Sequence, residues 1–134
     1  MKSIRFVFIG VLGLAGCASV PLPPEAATAR LVPVSSAAVE VYRPRFRMKD
    51  GELKLEAYAL RQSKAETTSD THIDIVYLDV SGRQLGHEQT NFSPRSLPPL
   101  HRLPKPHAYF LTSIKIPADT AVIEVRAHEG AHPL

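Results

Sequence analysis

Three groups of side chains in this chain of 134 residues have types and spacings that could do chemistry. His128-Glu-Gly-Ala-His132 matches the HExxH pattern, in which two imidazoles one helical turn apart hold zinc and the glutamate acts as base. That chemistry needs a helix, and Gly130 inside the segment with Pro133 behind it points to a solvated tail after a strand. A looser reading gathers His72, His87, His101, His107, His128 and His132, of which two or three could converge and take zinc or copper. Their spacings match no metal framework and no thiolate is at hand to help, so no metal site and no cofactor is assigned. Zinc or copper binding through the C-terminal histidines stands as the alternative function. Arg43, Arg45 and Arg47 recur at every second position and would line one face of an extended strand, where guanidinium forks grip phosphates or carboxylates. Pro44 among them points to an edge strand or a loop, and cations with proline on an edge also block edge-to-edge pairing. Asp74 and Asp79 lie five apart and face opposite sides of a strand, and no Ser, His and Asp set has a nucleophile context. No catalytic residue is assigned, and the expectation is a protein that is not an enzyme.

The elements that must position these groups alternate with a period of two. Val39 to Arg47 begins with apolar odd positions that give way to the three arginines. Glu52 to Tyr58 puts Leu53, Leu55 and Ala57 on one face, and Lys49-Asp50-Gly51 before it is a hairpin turn. His72 to Val80 is β-branched and aromatic, and apolar on both faces in its second half, as a central strand is. Gln84 to about Thr90 returns as a more polar edge strand. Ser93 to Pro106 holds five prolines in fourteen residues and reads as an extended crossover loop, since proline cannot donate to a ladder. Ala108 to Ile116 and Ala121 to His128 complete the set, the latter with Ile123, Val125 and Ala127 inward. With a strand near Leu31–Ser35 and no sustained helical period, the sequence predicts an all-β, immunoglobulin-like antiparallel sandwich of about seven strands over residues 31–134.

The N-terminus carries a different signal. Lys2 and Arg5 precede an apolar run, Phe6 to Ala15, too short for a bilayer span of about 20 residues but suited to a secretory leader. Leu14-Ala15-Gly16-Cys17 resembles the lipobox of bacterial lipoproteins. That resemblance implies cleavage after residue 16 and a mature chain starting at a lipidated Cys17, whose several acyl chains give stable membrane anchoring. Ala18 in place of Asp implies the outer membrane under enterobacteria-like sorting. Cys17 is the one cysteine of the chain, so lipidation would also remove a lone thiol from an oxidising compartment. Residues 17–30, with Pro21, Pro23 and Pro24, read as a tether. The formal charge of +3 overstates the mature chain, because without Lys2 and Arg5 it has 14 basic against 13 acidic residues. A balance that even produces no strong global field, so no nucleic-acid partner is expected.

Ile73-Asp-Ile-Val-Tyr-Leu-Asp-Val-Ser-Gly82 and Ile116-Pro-Ala-Asp-Thr-Ala-Val-Ile-Glu-Val125 resemble the strand-turn units of small envelope lipoproteins with an immunoglobulin-like or FxLYD-like domain. The paired cysteines and core tryptophan of antibody domains are missing. Fold alone does not give function. The expectation is a lipid-anchored, non-enzymatic envelope module that binds another protein or an envelope component, with Arg43, Arg45 and Arg47 as the candidate anion or partner site.

Overall fold

The computed structural model describes residues 20–62, 65, 67–98 and 107–130. Within them the chain forms a short helix α1 (Pro24–Thr28) and seven strands: β1 (Arg30–Val34), β2 (Val39–Lys49), β3 (Glu52–Arg61), β4 (Thr71–Leu78), β5 (Gln84–Thr90), β6 (His107–Ser113) and β7 (Val122–Glu129). Two sheets pack face to face, β1-β7-β4-β5 and β2-β3-β6. The β-sandwich expected from the alternation is the fold. Its core joins Ile73, Ile75, Tyr77, Ile123 and Val125 of one sheet to Val39, Val41, Leu55, Ala57 and Phe110 of the other, with Phe92 and Leu97 closing it from the loop after β5. β4 is central and β5 is at an edge, as their compositions required.

Two features depart from the sequence reading. The sheets are not wholly antiparallel, since β1 pairs with β7 in parallel, Arg30 beside Val122 through Val34 beside Arg126. The remaining strands follow the immunoglobulin order, with β2, β3 and β6 in the places of A, B and E and β5, β4 and β7 in those of C′, C and F. The place where a G strand would follow F is filled from the N-terminus by β1. The second departure is α1 inside the segment read as tether. Pro24 at its first turn supplies a fixed φ and lacks only an N–H that would have no acceptor within the helix, and Glu25 complements the helix N-terminus.

Hairpin geometry follows from local chemistry. Asp50 and Gly51 both have positive φ, 54° and 76°, the pair of conformations a two-residue type I′ turn requires. Pairing then runs Lys49 to Glu52 and on to Arg45 opposite Glu56. There it slips: Arg43 and Pro44 together oppose Ala57, and pairing resumes with Tyr42 opposite Tyr58. This is a β-bulge. One inserted residue reverses which side chains face the core, so Val39 and Val41 point inward at one end while Phe46 packs against the core at the other.

The strand ends define two poles. The start of β1 lies beside the start of β7 and the end of β4, with Thr28, the turn of residues 79–83 and residues 119–121 around it. This is the pole at which the N-terminal segment enters. At the opposite pole are the starts of β2 and β6 and the ends of β3 and β7, tied together where Ala38 N–H donates to the Glu129 carboxylate at 2.7 Å.

Candidate functional site

The outer faces of both sheets carry clusters, and they differ in chemistry. On β1-β7-β4-β5 the centre is Asp74, 2% exposed. Its Oδ1 lies 3.3 Å from Nε2 of His72 and 3.1 Å from Nε2 of His87, and its Oδ2 lies 3.6 Å from Nδ1 of His128. His72 and His128 are cross-strand partners with ring centroids 5.1 Å apart. Arg126, directly opposite Asp74, is held by Glu124. Three of the six histidines therefore converge, but on a carboxylate. His72 precedes Asp74 by two residues and His87 stands opposite Val76, two residues beyond it, so they reach Asp74 from opposite directions along β4. Among the described residues no three His, Cys, Asp or Glu side chains are placed to hold a metal ion. The arrangement gives a buried carboxyl group polar partners, without which its burial would be costly.

The described part of the HExxH segment is strand, not helix. His128 and Glu129 end β7, Glu129 is engaged by Ala38, and Gly130 has φ 82°. His101 and His132 lie outside the described residues, as does Cys17. His107 opens β6, edge-on to Tyr58 at 5.5 Å.

The outer face of β2-β3-β6 holds the three arginines. Arg45 and Arg47 both point out of the sheet and both reach Glu56, Arg45 through a direct Nε–Oε1 contact and Arg47 at 3.6 Å. Glu56 is 2% exposed although it lies on an outer face, and its Oε2 also accepts from the Tyr109 hydroxyl at 2.5 Å. Burial alone would raise the Glu56 carboxyl, yet the Tyr109 and Arg45 hydrogen bonds and both guanidiniums outweigh it and hold it below its ordinary value. The same bond to Glu56 pushes the Tyr109 hydroxyl up. The expected stripe of three is therefore corrected: two arginines neutralise one buried carboxylate, and the bulge takes the third out of line. Arg43 has φ 51°, and its guanidinium carbon sits 4.8 Å from the Tyr42 ring centroid. Among the described residues it has no ion pair.

Register builds something the sequence did not announce. Tyr42, Tyr58 and Tyr109 are successive cross-strand partners, making a row of tyrosines across all three strands. The next row toward the far pole is Glu40, Leu60 and His107. Between these rows and Arg43 lies an open groove of about 500 Å³ lined by Glu40, Tyr42, Arg43, Tyr58, Leu60 and His107. Tyr42 is 39% exposed. Each tyrosine sits at an outward position of its strand, but only the bulge brings Tyr42 opposite Tyr58, and alternation alone cannot count a bulge.

No family model matches the chain, and no curated protein and no solved structure matches it either.

Proposed function

We propose that this is a lipid-anchored envelope protein, tethered through Cys17, whose sandwich is a non-enzymatic binding module with its site on the outer face of β2-β3-β6. The observation that carries the reading is the groove beside the tyrosine row. Tyrosine and arginine are the residue types that most often dominate interface energetics, because they bring large area with a polar handle. Here both occur on one exposed, rigid sheet face. Anchoring is supported by the leader pattern ending at Cys17 and by the prolines at 21, 23 and 24 that follow it.

Two measurements test the two halves. Cys17→Ala should move the chain from the membrane to the soluble fraction, and unchanged membrane retention contradicts the anchor. Formaldehyde crosslinking of cells carrying the wild-type chain should give a discrete adduct that weakens strongly in Tyr42→Ser/Arg43→Gln. An adduct indifferent to both substitutions contradicts the site.

A further inference from the structure

We propose that the groove around Arg43 recognises an acidic peptide segment of a partner protein, with Arg43 gripping a carboxylate and Tyr58 and Leu60 taking the apolar side chain two residues along. The inference rests on the binding-face reading above and assigns its ligand chemistry.

The first observation is a division of labour among cations. Arg45 and Arg47 are committed to Glu56, whereas Arg43 has no ion pair among the described residues and lines the groove. A guanidinium offers parallel donors matched to a carboxylate, and stacking on Tyr42 fixes its plane without using those donors. The second observation is the backbone. Arg43 is a non-glycine residue in the left-handed region, an arrangement that costs stability and calls for a reason. The bulge needs that conformation, but it does not need arginine to adopt it.

The third observation concerns the neighbours. Tyr58 and Leu60 supply an apolar floor, and His107 and Glu40 bound the groove. Glu40 disfavours a continuous polyanion and suits a segment whose acidic and apolar residues stand two apart. Positions i and i+2 of an extended peptide face the same side.

Position decides between a protein and a membrane surface. Glu40, Leu60 and His107 lie at the starts of β2 and β6 and the end of β3, the pole opposite the entry of the N-terminal segment. β2 has 11 residues and so runs for roughly 35 Å. A chain anchored through its N-terminus holds this groove away from its own lipid headgroups, in reach of a protein.

The test uses the lipidated full-length chain in non-ionic detergent, titrated into a fluorescein-labelled Glu-Ser-Leu-Ser-Glu peptide and read by fluorescence anisotropy. The proposal expects saturable binding that is about tenfold weaker with Arg43→Gln, weakened less by Arg43→Lys, and about tenfold weaker for the Gln-Ser-Leu-Ser-Gln peptide. Circular dichroism of each variant confirms that the sheet is retained. Equal binding of the Glu and Gln peptides overturns the proposal, as does wild-type affinity in Arg43→Gln. Retention of the Cys17→Ala chain by phosphatidylglycerol vesicles, without peptide binding, overturns it in favour of a lipid surface. If the cellular adduct depends on Tyr42 while the peptide fails to bind, the face stands and its acidic-peptide assignment falls. Loss of both removes the face as well.

Discussion

At the residue scale, carboxylates on this protein are spoken for in different ways. Glu56 is a buried charge balanced by two guanidiniums and a phenol, so it organises one sheet face. Asp74 is a buried carboxyl group contacted by three imidazoles on the other. Asp79 caps the β4–β5 turn: its Oδ1 accepts from the Ser81 hydroxyl at 2.6 Å and from the Ser81 and Arg83 amides, and its Oδ2 pairs with Arg83. The Ser81 hydroxyl bond, with the Arg83 amide next, draws its carboxyl down from 3.8 to about 2. A folded value below the unfolded one adds stability above pH 3.8 that is lost as pH falls toward 2. Asp79→Asn should therefore lower the melting temperature at pH 6, and the gap from wild type should close between pH 4 and pH 2. A gap that stays constant across that range contradicts the assigned role of this carboxylate.

At the element scale, β2 shows what alternation reveals and where it fails. Its even-spaced pattern was legible, and so was its place at an edge, since Pro44 cannot donate to a neighbour. The exchange of parity escapes a constant period of two: Val39 and Val41 are odd, whereas Phe46, which packs on the core after the break, is even. Without the bulge, the arginines looked like one stripe. With it, only Arg45 and Arg47 stay in line over Glu56, while Arg43 is displaced toward the Tyr42 ring and Tyr42 lands beside Tyr58. The candidate groove was hidden for the same reason: its residues come from three strands whose mutual register depends on that single inserted residue. The three histidines near Asp74 were likewise separable in sequence and joined only by the pairing of β4 with β5 and β7. Arg43→Gly should keep the bulge and relieve its left-handed strain, leaving thermal stability equal to wild type or higher by up to about 1 kcal/mol. The same variant should lose the acidic peptide. A loss of stability of more than about 1 kcal/mol would show that the arginine side chain is there to hold the bulge.

At the scale of the whole molecule, the strand count and class followed from composition and period, while the parallel pairing of β1 did not. Nothing in Arg30-Leu-Val-Pro-Val34 states its direction relative to β7, which is set by the short connection through residues 35–38 into β2. That placement has a consequence for function. β1 fills the position a final strand would otherwise occupy, and it brings the N-terminal segment to one pole. The end of β3 and the start of β6 both lie at the other pole, beside the tyrosine groove. With the proposed anchor at Cys17, this placement would present the groove outward from the membrane. The central claim, that the outer face of β2-β3-β6 is the binding surface, is tested most directly by a photo-reactive phenylalanine in cells, placed at Tyr42 in one strain and at Gln84 in another. Gln84 is exposed on the opposite sheet. The account predicts a specific adduct from position 42 and none from position 84; an adduct from position 84 with none from position 42 would contradict it.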